Sequence, residues 1–323
     1  MPMKMYRWGI LGAGRIADKF CEALNFTQGA EVYAIASRNA NNAQAFASKH
    51  KATKSYTNYL DLVNDPNIDI VYIATPHAFH FQHTMLCLQH NKPVLCEKPM
   101  SLTTIQSEEM IAFATKQQLF LMEGLWTRFM SFTEKILSLI ADDSIGTVKH
   151  IQADFGFAVP FDADSRMYNK ALGGGSILDI GIYPIFLATL ILGIPTKVQA
   201  IVTPTFTGVD ETAAMQLQYA NGASAQLLST IAYNTPITAT IIGTKGRINI
   251  QNPWFKATDI TLILNDGTSE HFFMPHQCNG FEYEIAHAMQ CLDNGLLQSP
   301  KVPHSLTLQI SNIMDEVLSN LVL

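Results

Sequence analysis

Three polar side chains lie in apolar segments at positions where they are suited to proton transfer. Lys98 follows the apolar segment 94–96 and precedes Pro99, whose ring biases Lys98 away from helical conformation. Asp179 and Tyr183 follow three consecutive glycines and stand four residues apart, so on a helix they share one face. A carboxylate and a phenol on an apolar helix need a partner or a chemical role. The pattern predicts a site that exchanges a proton with a substrate oxygen.

The same residues also permit a purely structural interpretation. Asp179 would then only stabilise the first turn of its helix, and Tyr183 would be a half-buried packing residue. The sequence pattern leaves both interpretations open for each residue taken alone. The presence of Lys98 in the same chain favours the proton-transfer site, which would face a redox cofactor.

A glycine-rich turn near the N-terminus predicts a dinucleotide site. Gly12, Gly14 and Ala17 have the GxGxxA spacing, in which the first glycine permits a tight turn and the second lets the backbone approach a pyrophosphate. The alanine lets the following helix pack closely on the preceding strand. Arg15 and Ile16 open that helix, whose first N–H groups face the anion.

The residues after the second predicted strand indicate which dinucleotide binds. An NAD enzyme is expected to have Asp or Glu about 20 residues past the glycines, on the ribose 2′-hydroxyl. This chain has Ser37 and Arg38 there, while Glu31 lies at the opposite end of the strand. A hydroxyl and a guanidinium suit a 2′-phosphate, since Arg forms charge-assisted bonds to phosphate oxygens. We therefore expect NADP(H), with NAD(H) less favoured; a solvated arginine in a turn is the alternative.

Apolar strands and helical segments alternate over the first part of the chain. The predicted strands cover residues 6–11, 32–36, 69–74, 94–96 and 119–122. This alternation predicts a Rossmann-type, doubly wound parallel sheet, whose ligands lie outside the carboxyl ends of the strands. That rule places the following residues at the cofactor groove: Ser37, Arg38, Thr75, Pro76, His77, Glu97, Lys98 and Pro99.

The pattern changes near residue 124. Short strands are predicted at 148–158, 197–204, 213–219, 223–231, 237–243, 246–250 and 259–264, and helices at 176–192, 282–294 and 306–320. We therefore predict an α/β fold with two domains. Residues 1–123 form the NADP-binding domain, and residues 124–323 form a domain for substrate and oligomerisation, with a large, mostly antiparallel sheet.

Composition excludes several classes of protein. The 323 residues are 48% hydrophobic and 15% charged, with a net charge of −6 and no long basic run, which disfavours nucleic-acid binding. No uninterrupted apolar run approaches the ~18 residues of a membrane span, and the first residues lack the apolar core of a signal peptide. Five cysteines without a CxxC pair indicate reduced thiols, so we expect a cytoplasmic protein. His77, His80 and His83 lack acidic or cysteine partners in a metal-ligand pattern, so no metal is expected.

These motifs together resemble the glucose-fructose oxidoreductase/inositol dehydrogenase (Gfo/Idh/MocA) family over most of the chain. The segments at 123–129 (EGLWTRF) and 173–184 (GGGSILDIGIYP) are similar to its dimeric dihydrodiol dehydrogenase and NADP-dependent xylose dehydrogenase branch. Many relatives have a histidine where Tyr183 stands, and the tyrosine agrees with that branch. The resemblance implies a Rossmann domain followed by an open-sheet domain commonly used for dimerisation. It also implies NADP(H), with Ser37 and Arg38 on the 2′-phosphate and His80 near the cofactor.

The implied reaction is hydride transfer between nicotinamide and a hydroxyl or carbonyl of a sugar, polyol, dihydrodiol or dicarbonyl compound. Tyr183 would be the general acid-base, Lys98 would stabilise its phenolate, and Asp179 would orient Lys98 or bind a substrate hydroxyl. Lys98 is the alternative proton donor. The predicted pocket walls are aromatic residues for which core packing is the alternative: Trp126, Phe155, Trp254 and Phe281.

A second class of function remains open, a non-catalytic protein of the same fold that senses cofactor or sugar. The retention of Lys98 and Tyr183 favours the enzyme, because a sensor has no need of a proton donor. The loops around 157–172 and 251–281 are expected to decide the substrate. We expect a small-molecule substrate and a homodimer or higher homo-oligomer.

Overall fold

The structure is a computed structural model that describes residues 4–322. The outermost positions of the two predicted domains, residues 1–3 and 323, lie outside the described residues. The chain divides into two compact units, Met1–Phe129 with Gln277–Thr307 and Met130–His276 with Leu308–Leu323. The predicted domain boundary between residues 123 and 124 stays a prediction.

A parallel sheet of six strands forms the centre of the first unit, in the order β3-β2-β1-β4-β5-β6. The strands are β1 (Tyr6–Leu11), β2 (Ala30–Ala36), β3 (Lys54–Tyr56), β4 (Ile70–Ile73), β5 (Val94–Glu97) and β6 (Leu121–Gly124). The strand order reverses between β1 and β4, which is the place where doubly wound sheets bind nucleotides. The predicted Rossmann-type sheet is confirmed.

Helices connect these strands and cover the sheet. They are α1 (Arg15–Phe26), α2 (Ala40–His50), α3 (Tyr59–Val63), α4 (His80–Gln89) and α5 (Thr104–Lys116). Capping side chains mark where several of them begin: Asn39 accepts from the backbone N–H of Asn42 at 3.0 Å, and Thr103 accepts from that of Gln106. Every residue of β4, β5 and β6 is buried, as expected for strands with helices on both faces.

One helix far along the chain belongs to the first unit. It is α8 (Phe281–Asp293), and its Phe281 ring meets the Phe20 ring of α1 edge-on at 5.8 Å. Phe20 in turn stacks on Tyr72 of β4 at 3.5 Å. The Tyr6 hydroxyl of β1 also donates to the Asp293 carboxylate at 2.7 Å. This aromatic packing explains why the segment 277–307 groups with the Rossmann sheet.

A second sheet, of eight strands, forms the second unit in the order β14-β13-β12-β11-β7-β10-β9-β8. Its strands are β7 (Val148–Gly156), β8 (Lys197–Pro204), β9 (Asp210–Gln218), β10 (Ser224–Thr230), β11 (Ala239–Gly243), β12 (Gly246–Ile250), β13 (Asp259–Leu264) and β14 (Ser269–Phe273). Its neighbouring strands run antiparallel, except that β7 and β10 are parallel. This confirms the predicted mostly antiparallel sheet and adds β14, which the sequence pattern missed.

The apolar segment 176–192 is helical, but its first part is not an α-helix. Ile177–Gly181 forms a π-helical turn, which continues into α7 (Ile182–Leu192). Within the described residues the run Lys170–Leu192 is long and apolar enough to cross a membrane, yet 83% of its most apolar window is buried inside the protein. The segment is the core helix against which this sheet packs. Two further helices are α6 (Ser131–Ala141) and α9 (His304–Leu318).

Candidate active site

The glycine turn has the shape that a pyrophosphate requires. Gly12 has φ +100°, and a Cβ there would lie 2.8 Å from the Ala74 carbonyl oxygen, so only glycine fits. Gly14 caps α1 without a side-chain hydrogen bond, and a Cβ on Gly14 would meet no atom within 4 Å. Arg15 and Ile16 follow it and are exposed. The N-terminus of a twelve-residue helix is thus open to an anion at the point where the strand order reverses.

Arg38 stands on an aromatic platform at the end of β2. Its guanidinium carbon lies 5.6 Å from the centre of the Phe79 ring, and Phe79 stacks on His83 at 5.8 Å. The His83 ring is fixed by a 3.0 Å hydrogen bond between its Nδ1 and the Thr75 hydroxyl. Burial, followed by the charges of His80 and Arg38, lowers the pKa of His83 to about 4, so the platform is uncharged near neutral pH. Ser37 lies beside Arg38, and its hydroxyl accepts from the Asn39 backbone N–H at 3.4 Å.

His80 ties together the loops that follow β4 and β5. Its Nδ1 lies 2.7 Å from the Pro99 carbonyl oxygen, and its Nε2 lies 2.8 Å from the Thr75 carbonyl oxygen. The ring is fully buried, and burial lowers its pKa. Lys98 precedes Pro99 through a cis peptide bond and is only half-buried. The predicted groove residues Thr75, His80 and Lys98 therefore belong to one fixed strand-end cluster.

Glu97 is held inside the first unit by a residue that sequence analysis missed. The hydroxyl of Tyr72, on β4, donates to Glu97 Oε1. Burial raises the pKa of Tyr72 well above its ordinary value, and the Glu97 charge adds to this, so the phenol keeps its proton. Glu284 of α8 is fully buried, and burial together with the Glu97 charge raises its pKa in the same way. The only sequence signal for these partners is that polar side chains in apolar segments need hydrogen bonds.

In the second unit, the three-glycine loop positions the helix that carries Asp179 and Tyr183. Gly175 has φ +109°, and a Cβ there would lie 2.0 Å from Asp210 Oδ1. The other Asp210 oxygen accepts from the Ile177 backbone N–H at 2.7 Å and from the Ser176 hydroxyl at 2.8 Å. Burial raises the pKa of Asp210 to about 6, and these hydrogen bonds oppose the rise. Asp210, which the sequence analysis also missed, fastens the start of the π-helical turn.

Asp179 forms an ion pair within the second unit. Arg166 donates from Nη1 to Asp179 Oδ1 at 2.9 Å and from Nη2 to Oδ2 at 3.0 Å. Such bidentate pairs fix direction as well as charge. Arg166 lies in the loop 157–172, whose importance the sequence predicts without identifying any residue in it. Its partner thirteen positions later could not be found from spacing.

Two aromatic rings flank Tyr183. The ring centre of Phe155 lies 5.5 Å away and that of Phe255 5.2 Å away, and the two phenylalanines stack on each other at 4.3 Å. Trp254 is fully buried instead, and its indole N–H donates to the Asp154 carbonyl oxygen at 2.8 Å. The phenol, which is itself buried, therefore meets the predicted Phe155 and also Phe255, which the sequence analysis did not identify.

The other two predicted pocket residues lie in the first unit. Trp126 stacks on Phe281 at 4.5 Å and is half-buried. Phe281 is 3% exposed and also meets Phe20, so it packs in the core of this unit. Trp126 thus has one face supported by a core residue.

Comparison with known proteins connects this geometry to a family. Residues 6–125 match the GFO/IDH/MocA model described as an oxidoreductase family with an NAD-binding Rossmann fold, and residues 133–249 match its C-terminal domain. Trans-1,2-dihydrobenzene-1,2-diol dehydrogenase of Xenopus tropicalis is 38% identical over 331 residues, covering 98% of each chain. The Homo sapiens enzyme of that name is 34% identical over 326 residues, covering 96% of this chain and 95% of its own.

Solved structures show the same fold. Aldose-aldose oxidoreductase from Caulobacter crescentus, complexed with glycerol, has a TM-score of 0.89 and 26% identity, covering 98% of this chain and 97% of its own. The 3-ketoreductase KijD10 from Actinomadura kijaniata, in complex with NADP and TDP-benzene, has a TM-score of 0.86 and 24% identity, covering 98% of each chain. The resemblance drawn from the glycine fingerprint and the segments around Lys98 and Tyr183 is confirmed. The chain belongs to the GFO/IDH/MocA family of oxidoreductases.

Proposed function

We propose that this chain is an NADP(H)-dependent oxidoreductase that transfers a hydride between nicotinamide and a hydroxyl or carbonyl of a small molecule. A trans-dihydrodiol is the favoured substrate, and a sugar, a polyol or a dicarbonyl compound is the wider class. Relatives named as dihydrodiol dehydrogenases, 34–38% identical over nearly the whole chain, support this choice. The observation that carries the proposal is a buried phenol, Tyr183, one helical turn beyond the clamped carboxylate of Asp179.

Tyr183 is the general acid-base in this proposal. The bound nicotinamide supplies or accepts the hydride. In the oxidation direction, Tyr183 Oη takes the proton from the substrate hydroxyl, and in reduction it returns that proton to the substrate oxygen. A tyrosine has an ordinary pKa of about 10, so it needs a nearby cation to act as a base near neutrality. We propose Lys98 for that charge and for polarising the carbonyl, and Lys98 is also the alternative proton donor.

The flanking rings shape the proposed substrate pocket. Phe155 and Phe255 cover Tyr183 with apolar surface, which excludes water from around the phenol. Trp126 offers a half-buried aromatic face supported by Phe281. We propose Phe255 in place of Trp254 as a pocket wall.

The preference for NADP(H) rests on Ser37 and Arg38. The Phe79 ring holds the Arg38 guanidinium at the end of β2, where the ribose 2′-position is expected in this fold. No acidic side chain directly follows that strand. NADP in the related KijD10 structure also supports this choice. NAD(H) is the less favoured cofactor.

The second sheet and the cysteines are the basis of the proposed assembly and compartment. Every second residue of the edge strand β8 is exposed, and Ile201, which is 78% exposed, is the large apolar side chain on this face beside Lys197, Gln199 and Thr203. We propose that a second copy of the chain covers this face in a homodimer. Four of the five free cysteines are buried, which suits a cytoplasmic protein. The proposed partners are the small-molecule substrate and the second copy, without nucleic acid or membrane.

The non-catalytic alternative gains no support from the comparisons. The named relatives are dehydrogenases, and the family is one of oxidoreductases. The catalytic proposal is tested with purified protein and NADP⁺ by following NADPH absorbance. The substrates are trans-1,2-dihydrobenzene-1,2-diol, an aldose, a polyol and, with NADPH, a 1,2-dicarbonyl compound. We expect the dihydrodiol to give the highest kcat/KM. Absence of turnover with every class, by protein that still binds NADPH, would contradict the proposal.

A further inference from the structure

We infer that Arg166 is a positioning residue for proton transfer, which holds Asp179 and keeps the Tyr183 phenolate accessible. The inference rests on the proposed acid-base role of Tyr183. It adds a residue to the site that neither the motifs nor the comparisons identify. Its basis is the ion pair, the loop that supports it and the burial of the helix face that it meets.

The ion pair leaves little freedom to Asp179. Both carboxylate oxygens accept from separate guanidinium nitrogens of Arg166, at 2.9 and 3.0 Å. Asp179 is buried, so loss of Arg166 would remove two charge-assisted hydrogen bonds from a buried carboxylate on the π-helical turn. Tyr183 lies four residues later on the same helical run and is also buried. The negative charge of Asp179 would then oppose ionisation of the nearby phenol.

The loop that carries Arg166 is built to hold it there. The Gly175 backbone N–H donates to the Met167 carbonyl oxygen at 2.9 Å, which ties the residue after Arg166 to the glycine loop. A Cβ on Gly174 would lie 2.7 Å from that same oxygen, so the close approach needs glycine. The Tyr168 hydroxyl donates to the Val159 carbonyl oxygen at 2.9 Å and fixes the other side of the loop. Gly174 and Gly175 therefore position the arginine as well as the helix.

The charges around Tyr183 support a direct electrostatic interaction between Arg166 and the Tyr183 phenolate. Burial by itself lowers the pKa of Arg166, but the Asp179 carboxylate and then the Tyr183 phenolate raise it above its ordinary value. The same attraction must favour the ionised phenol, because interaction energies are reciprocal. The rings recorded beside Tyr183 are uncharged, and Lys256 lies beside one of them, with its Nζ 5.9 Å from the Phe255 ring centre. Arg166 and Asp179 are thus a charged pair whose balance acts on the phenol.

The test measures the titration of Tyr183 directly. Protein labelled with ¹³C at tyrosine Cζ is titrated by NMR, and the Tyr183 signal is identified by its absence in Tyr183→Phe. In Arg166→Gln, we expect the midpoint to move to higher pH. In Arg166→Lys, which keeps the charge without the planar fork, the midpoint should lie between those of the unmodified protein and of Arg166→Gln. In Asp179→Asn it should move to lower pH, the opposite direction. Arg247→Gln, at an exposed position on β12, is the matched control and should leave the midpoint unchanged.

A second measurement separates this inference from the proposed function. With trans-1,2-dihydrobenzene-1,2-diol and NADP⁺, Arg166→Gln should lower kcat by about tenfold or more and leave the KM for NADP⁺ unchanged. Unchanged Tyr183 midpoints in folded Arg166 and Asp179 variants would overturn the inference, and so would shifts of the same sign. If Arg166→Gln does not fold, the inference is tested by the other two variants: the Tyr183 midpoint should move to higher pH in Arg166→Lys and to lower pH in Asp179→Asn. Near-normal turnover of Tyr183→Phe would instead overturn the proposed function, whatever the midpoints show.

Discussion

Gly175→Ala should destabilise the second unit far more than an ordinary glycine substitution in a turn. The new methyl group would stand 2.0 Å from Asp210 Oδ1, so this buried carboxylate must move. Its displacement breaks hydrogen bonds from the Ile177 N–H and the Ser176 hydroxyl, each worth about 1.5–3 kcal/mol when the acceptor is charged. Alanine at φ +109° adds backbone strain of about 1–2 kcal/mol. Allowing for partial relaxation, the loss in unfolding free energy should be about 3–5 kcal/mol.

Gly222→Ala is the matched control for this prediction. Gly222 also has a left-handed backbone, with φ +77°, but a Cβ there meets no atom within 4 Å. It should lose only the strain of about 1–2 kcal/mol. Urea unfolding and thermal melting of both variants measure the difference, and turnover of Gly175→Ala should fall as well, because Asp210 holds the turn that carries Asp179. Equal losses in the two variants would refute the assigned role of Asp210.

Three further predictions concern the cofactor, pH and assembly. Arg38→Ala should raise the KM for NADPH more than tenfold and barely affect NADH, since one charge-assisted contact contributes about 1.5–3 kcal/mol; equal loss with both cofactors would contradict the assignment. Burial, reinforced by the Glu97 charge, raises the pKa of Glu123 from 4.5 to about 7, so between these values the folded protein retains a proton that the unfolded chain releases. The unfolding free energy should therefore fall as pH rises through this window, by up to about 3 kcal/mol. Urea unfolding measured at several pH values should show that this free energy depends less steeply on pH in Glu123→Gln, and an unchanged dependence would refute the prediction. Ile201→Asp should dissociate the proposed dimer in light scattering, and a mass near the 35.7 kDa monomer for the unmodified protein would refute the dimer itself.

The parallel sheet could be predicted because its signals are local. Each buried strand is a short apolar run, and the glycine turn has a fixed spacing tied to one backbone geometry. The second sheet was predictable from its alternating strands and turn residues. Strand β14 (Ser269–Phe273) was missed because four of its five residues are exposed, which leaves no buried face to produce an apolar pattern. The placement of α8 depends on Phe281 meeting Phe20, more than 250 positions earlier in the chain, and no local pattern encodes such a contact.

The candidate site was only partly predictable for the same reason. Lys98, Asp179 and Tyr183 stand out because polar groups in apolar segments are unusual. Their partners come from distant segments: Arg166 comes from a loop, and Asp210 from the start of β9. The spacing of Asp179 and Tyr183 also does not distinguish an α-helical turn from the π-helical turn that is found. The sequence identifies the reactive groups because they are polar residues in apolar segments. The partners that orient them come from distant segments, and residue spacing does not predict such contacts.

Turnover of Tyr183→Phe tests the central claim most directly, because the substitution keeps the ring between Phe155 and Phe255 and removes only the hydroxyl. If the phenol is the acid-base, kcat should fall by about 100-fold or more while NADPH binding persists. Lys98→Met should also depress kcat, and the double variant should be little worse than the poorer single one, since residues that act as a unit are not additive. Near-normal turnover of Tyr183→Phe, with activity abolished in Lys98→Met, would contradict the account and assign the proton to Lys98.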